Sequence, residues 1–98
     1  MIEIQPKLND IIYKENEFPH SFYFILEGEV ELSYLVKNGR RIVISLLSKG
    51  GVFGEGEILS ETTRNMKEIS KSNETVLMTL SNHQFIGVLQ TYQMFEDC

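Results

Sequence analysis

The sequence predicts a mainly β domain, a small roll of short strands closed by one C-terminal helix. Three observations carry that expectation. Short aliphatic and aromatic runs recur at close spacing, turns bearing glycine or asparagine separate them, and helical periodicity appears only near the end. The 98 residues suit one domain spanning 1–98, and 42% hydrophobic content can bury a core, though a thin one. No internal repeat or low-complexity tract interrupts it.

Ile2-Glu3-Ile4 alternates and then meets Pro6, which suits a short edge strand. Asn9-Asp10 marks a turn, and Ile11-Ile12-Tyr13 reads as a second short strand. Lys14 to Ser21 is polar with one proline, hence a loop in which His20 is solvated. Phe22 to Leu26 is aromatic and aliphatic, a strand ended by Gly28, which reads as a structural glycine with positive φ. Glu29 to Leu35 alternates, with Val30, Leu32 and Tyr34 on one face and Glu29, Glu31 and Ser33 on a wet one. Asn38-Gly39 between apolar runs is a hairpin signal, and Arg41 to Leu47 is the return strand. After a Gly50-Gly51 turn and the stretch Val52–Met66, Asn65 to Ser70 reads as a strand of mixed polarity. Ser72-Asn73 is a turn, and Thr75 to Leu80 alternates again. Ser81 with Gln84 fits a capping box. Phe85, Val88, Leu89 and Tyr92 follow at helical spacing, so a helix runs from about Asn82 to about Phe95. Arg40-Arg41 and Lys67-Glu68 read as solvated charges.

Composition excludes several functions. A net charge of −5 leaves no basic stripe for nucleic-acid phosphates. The single cysteine, Cys98, excludes an internal disulfide and fits a reducing compartment, so the expected location is cytoplasmic, or the cytoplasmic face of a membrane protein. No apolar run is long enough for a membrane span. His20 and His83 are isolated, with no carboxylate at ligand spacing, which argues against a metal-dependent enzyme on a β-roll. No catalytic constellation appears, so no enzyme activity is expected of the chain itself.

The stretch Val52–Met66 carries the chemistry. Phe53 anchors it, and Gly54 and Gly56 let backbone N–H groups approach a ligand closely. Arg64 offers a fork that pairs two phosphate oxygens at once. Glu55 can only accept hydrogen bonds, for instance from sugar hydroxyls. Together these residues read as a cradle for a small phosphorylated ligand.

Phe53-Gly54-Glu55, with Arg64 nine residues after the glutamate, resembles the phosphate-binding cassette of cyclic nucleotide-binding domains. That family includes regulatory subunits of protein kinase A, nucleotide-gated channels and bacterial catabolite-activator-like regulators. The resemblance extends over roughly Leu8 to Phe95, through Asp10–Tyr13, Ser21–Val30, Asn38-Gly39 and Ser81–Leu89. It implies an eight-stranded jelly roll (a double-stranded β-helix) with a short cassette helix between the sixth and seventh strands and a C-terminal helix. It also implies cyclic AMP or cyclic GMP as ligand and no further cofactor. Glu55 would hold the ribose 2′-hydroxyl and Arg64 the cyclic phosphate, with amides of Gly54 to Glu57 completing the phosphate site. Phe53, Ile58, Asn65 and Met66 would line the rest. The C-terminal helix would move on binding, with Phe85 and Leu89 as hinge contacts. The chain would be one regulatory domain of a larger protein, acting on an effector such as a kinase, channel or exchange factor.

The pattern also departs from the family. Gly56-Glu57 stands where Leu-Ala is usual, and Asn65-Met66 where two small residues follow the arginine. Glu57 pointing inward would oppose a phosphate, whereas pointing outward it would leave binding intact. The alternative reading is therefore a degenerate jelly roll that binds no nucleotide and serves protein interaction. Two family glycines are replaced by Asn9 and Asn16, and asparagine tolerates the left-handed backbone.

Overall fold

A computed structural model of the protein describes residues 2–84 and Gly87. Eight strands and one short helix follow in order. They are β1 (Ile2–Ile4), β2 (Ile11–Tyr13), β3 (Ser21–Glu27), β4 (Val30–Leu35), β5 (Arg41–Leu47), β6 (Val52–Phe53), α1 (Glu55–Ser60), β7 (Lys67–Ser70) and β8 (Val76–Ser81). Two four-stranded antiparallel sheets run in the orders β1-β8-β3-β6 and β2-β7-β4-β5. First pairs with last, second with seventh, third with sixth and fourth with fifth. That nesting is one long hairpin rolled up on itself, the jelly roll that the resemblance implies. Its tip is the Asn38-Gly39 turn. Gly39 has φ 83° and Val36 N–H donates to the Arg40 carbonyl at 2.9 Å.

The core lies between the sheets, built from Ile25, Val30 and Leu77, with Tyr13 and Phe53 at one end. Each such side chain contributes roughly 1.5–3 kcal/mol by leaving water. Rolling needs tight corners, and three asparagine or glycine positions supply them. Asn9 and Asn16 both sit at φ 70°, the left-handed geometry expected of them. Gly28 sits at φ 91°, and a Cβ there would lie 2.5 Å from Thr75 Oγ1. Only a hydrogen fits between the β3–β4 corner and β8.

Two strands differ from their sequence patterns. Ser33, expected on the wet face of β4, is fully buried. A register shift between Leu32 and Ser33 breaks the alternation, and Arg41 Nη1 donates to Ser33 Oγ at 3.0 Å. Arg41 is consequently not a solvated charge, since the same nitrogen lies 3.0 Å from Glu15 Oε2. The second difference is Glu68, expected in solvent and found with no exposed surface. Period-two geometry turns Glu68 and Ser70 inward and leaves Ile69 on the half-buried side.

At the end of β8 the capping box forms as expected. Gln84 N–H donates to Ser81 Oγ at 3.1 Å, and Ser81 N–H donates to Gln84 Oε1 at 3.0 Å. The helical stripe Phe85, Val88, Leu89 and Tyr92 lies outside the described residues. Among those described, no helix is long and apolar enough to cross a membrane.

Candidate functional site

A hollow of about 410 Å³ opens beside α1, within the range of small-ligand sites. Phe53, Gly54, Glu55, Gly56 and Glu57 form one wall, and Asn65, Met66 and Glu68 another. Tyr13, Leu32, Leu47 and Val52 complete the lining. Seven of the nine residues read as binding from the sequence therefore meet here. Ile58 does not. It is buried beside a neighbouring hollow with Phe18, Pro19 and Asn82. Arg64 also lies outside the lining, directly behind it.

Local structure explains these placements. Gly54 caps α1 at φ 88°, where a Cβ would approach the Arg64 terminal nitrogens to 3.2 and 3.3 Å. The loop after α1 is pinned by its backbone. Arg64 N–H donates to the Glu17 carbonyl at 2.8 Å, and Asn16 N–H donates to the Arg64 carbonyl at 2.7 Å. The turn made possible by Asn16 thus sets where the arginine leaves the chain.

Arg64 is 2% exposed, and its guanidinium is held on several sides. Nη1 donates to the Gly54 carbonyl at 2.5 Å and to Glu57 Oε2 at 3.3 Å. Nη2 donates to the Ser21 carbonyl. The guanidinium carbon sits 4.1 Å over the Tyr13 ring, a cation–π contact. Tyr13 is itself fixed by Phe53 and Tyr23, each 6.1 Å away centre to centre, while Tyr23 stacks on Phe53 at 5.0 Å. A buried charge requires partners, and here one carboxylate and two carbonyls provide them. Glu57 therefore points toward the arginine, the inward arrangement of the two left open by the sequence.

The acidic side chains of the hollow differ in state. Glu55 Oε2 is buried without a hydrogen-bond partner. A carboxylate oxygen so placed is an acceptor in want of a donor. Glu68 accepts from the Tyr13 hydroxyl at 3.4 Å through Oε1, while its Oε2 has no partner. Burial, more than any other cause, pushes the Glu68 carboxyl up to about 8, with Glu57 and Glu55 adding to the shift and Tyr13 and Arg64 opposing it. Burial likewise pushes the Tyr13 hydroxyl far above its ordinary range, so it remains a donor. The sequence offered no sign of this pair. Tyr13 and Glu68 are 55 residues apart and meet only because β2 and β7 set them opposite one another.

Among the described residues, no group of three His, Cys, Asp or Glu is placed to hold a metal. A small cradle with one buried arginine and an unpartnered carboxylate is suited to a ligand carrying both an anionic group and hydroxyls.

Residues 4–92 match the family model for the cyclic nucleotide-binding domain. The cAMP-dependent protein kinase regulatory subunit of Schizosaccharomyces pombe is 40% identical over 55 residues, 56% of this chain and 12% of that protein. Potassium channel AKT6 of Arabidopsis thaliana is 33% identical over 85 residues, 80% of this chain and 9% of the channel. The catabolite activator protein of Thermus thermophilus superimposes with a TM-score of 0.87 at 20% identity, over 94% of this chain and 43% of that one. The chain thus spans less than half the length of each of these proteins. With the family model covering nearly the whole chain and the jelly roll holding the cassette between β6 and β7, the protein belongs to the cyclic nucleotide-binding domain family.

Proposed function

We propose that the hollow binds a cyclic nucleotide, cyclic AMP or cyclic GMP, and that the chain is a regulatory domain and not a catalyst. The observation that carries this is Glu55 Oε2, buried and unpartnered in the hollow with the Arg64 guanidinium behind it. In this reading Glu55 accepts the ribose 2′-hydroxyl. Arg64 exchanges Glu57 for the cyclic phosphate, and amides around Gly54 to Glu57 assist. Asn65 and Met66 border the ligand. Family relatives that are kinase subunits and channels support a role as one domain of a larger cytoplasmic or membrane-attached regulator, acting on its effector domain.

Contacts around Arg64 also support coupling to the C-terminal helix. Arg64 donates to the Ser21 carbonyl, and Ser21 is the cross-strand partner of Ser81, the capping residue. Asn82 N–H donates to the His20 carbonyl at 2.8 Å. A ligand that draws Arg64 away from Ser21 acts on the strand end that starts the helix. It shifts that equilibrium only by its differential affinity for the two arrangements.

Calorimetric titration with cyclic AMP and cyclic GMP tests the reading, alongside Arg64→Ala and Glu55→Gln. Saturable binding lost in both folded variants is the expected result. One observation favours the second reading, a jelly roll that binds no nucleotide and serves protein interaction: the 3.3 Å Glu57–Arg64 ion pair already occupies the arginine. Silence of the wild type and of Glu57→Gln at millimolar nucleotide would establish it.

A further inference from the structure

Each sheet ends in two edge strands, β1 and β6 in one and β2 and β5 in the other. β1 and β2 run for three residues and β6 for two, whereas β5 runs for seven. An edge strand offers backbone N–H and C=O groups to any further strand, and proteins blunt such edges with shortness, charge, proline or a bulge. β5, read Arg-Ile-Val-Ile-Ser-Leu-Leu, has no proline, and its one charge is turned onto Glu15. Its one blunting device is a bulge at Ile44, the residue left over where Ser33 faces Val43 and Leu32 faces Ser45. Around that edge Leu35, Val43, Ile44 and Leu46 are all exposed, each with about half of its surface in solvent. Among the described residues β5 pairs with β4 alone.

Charge indicates which strand fits there. The tip of the β4–β5 hairpin carries Lys37 and Arg40, both exposed and neither in an ion pair among the described residues. Its base carries Glu27, Glu29 and Glu31. Glu27 is paired with Lys49 at 3.3 Å and Glu31 with Lys71 at 3.8 Å, whereas Glu29 is exposed and has no cation among the described residues. A second copy lying antiparallel along β5, about a two-fold axis near its middle, sets the basic tip of each copy beside the acidic base of the other. Arg40 is then about two strand spacings, roughly 10 Å, from the Glu29 backbone of the other copy, and the two side chains span much of that gap. The Arg41 side chains stay at opposite ends, so the middle of the joint is apolar. Parallel pairing would instead set tip beside tip, with like charges adjacent.

We propose that β5 is a self-association edge, on which two copies of this chain pair antiparallel and join two four-stranded sheets into one. The proposal is independent of the nucleotide reading. Seven residues give about 24 Å of edge on a sheet about 10 Å deep. That falls short of the ~800 Å² per partner of a standard interface, so the association is weak and concentration-dependent.

The experiment is sedimentation equilibrium of the nucleotide-free protein from about 10 μM to about 1 mM, on the wild type, Ile44→Lys, Ile2→Lys, Arg40→Glu, Glu29→Arg and the Arg40→Glu/Glu29→Arg double variant. The wild-type mass is expected to rise from 11.3 kDa toward twice that value. Ile44→Lys brings two lysines together near the axis and is expected to weaken association at least about tenfold. Ile2→Lys, on the edge strand β1 of the other sheet, leaves it unchanged. Arg40→Glu and Glu29→Arg each weaken it about two- to fivefold, and the double variant, which restores opposite signs, recovers it. Amide exchange along β5 in the wild type, which needs no variant to fold, is expected to slow as concentration rises. A wild type that stays monomeric throughout overturns the proposal, as does a dimer that Ile44→Lys leaves intact or Ile2→Lys disrupts equally. β5 amide exchange that ignores concentration while the mass doubles overturns it too, and a double variant no better than the single ones overturns the antiparallel arrangement.

Discussion

Replacing Glu57 by glutamine removes the group that competes with a nucleotide phosphate for Arg64. The competition is strong because the pair is sheltered, with Arg64 2% and Glu57 13% exposed and their atoms 3.3 Å apart. A hydrogen bond to a charged group contributes about 1.5–3 kcal/mol. Glutamine retains part of it as a neutral acceptor, so about 1–2 kcal/mol is lost in the ligand-free protein. A phosphate no longer has to displace a carboxylate, and its affinity rises by the same amount, about 5–30-fold. The melting temperature of the free protein falls, by roughly 4–8 °C for each kcal/mol in a domain of this size. Calorimetry with cyclic AMP at pH 7 reads the first effect and thermal denaturation the second. Glu61→Gln is the control, an exposed carboxylate just past the same helix. Unchanged or weaker binding by Glu57→Gln, with Glu61→Gln equal to wild type, would refute the idea that Glu57 holds the arginine against the ligand.

Three further outcomes test the architecture. Gly28→Ala places a methyl group 2.5 Å from Thr75 Oγ1 and 2.6 Å from Thr75 Cα at φ +91°. Left-handed backbone costs roughly 1–2 kcal/mol and overpacking typically 1–3, so the urea midpoint should drop sharply, and an unmoved midpoint contradicts the tight corner. Glu68, raised to about 8 when folded, makes ligand-free stability greatest below the ordinary carboxylate range and progressively lower as pH rises through 8. Glu68→Gln should abolish that decline, which lies between the ordinary carboxylate range and pH 8, and a decline of equal slope in the variant rules out Glu68 as its source. Glu15 behaves in the opposite sense. Burial, the largest single cause, raises its pKa, but the Arg41 hydrogen bond, a backbone hydrogen bond and the Arg41 and Lys67 charges together outweigh it and hold the carboxyl below its usual value. Its stabilisation is present at neutral pH and lost as pH falls through that lowered value. In Arg41→Ala an NMR titration should show Glu15 protonating at higher pH, at a stability cost of about 1 kcal/mol or less.

The strands, the Asn38-Gly39 tip and the Ser81–Gln84 cap were legible because each depends on neighbours a few residues away. Alternation, turn chemistry and capping are local physics, and β3, β5 and β8 appear within a residue or two of their expected bounds. Phe53-Gly54-Glu55 and Arg64 were legible for another reason. Their spacing encodes a loop whose two ends must meet, and Gly54 and Arg64 do meet. Ser33, Arg41 and Glu68 were misread for a shared reason. Polarity predicts solvent, yet each has a distant partner that makes burial tolerable: Ser33 and Glu15 for Arg41, Tyr13 for Glu68.

The sequence alone determined a β-roll, the place of its turns, and a cradle with a carboxylate, glycines and an arginine at the spacing of a cyclic nucleotide cassette. Only the tertiary structure decided how the charges of that cradle are distributed. It turned Glu57 onto Arg64, put Glu68 against Tyr13 at the inner wall, and left Glu55 Oε2 without a partner. Spacing along a chain fixes which side chains share a loop, whereas the pairing and protonation of a carboxyl depend on what the opposite strand brings within a few ångströms of it. For Glu68 that strand lies 55 residues away.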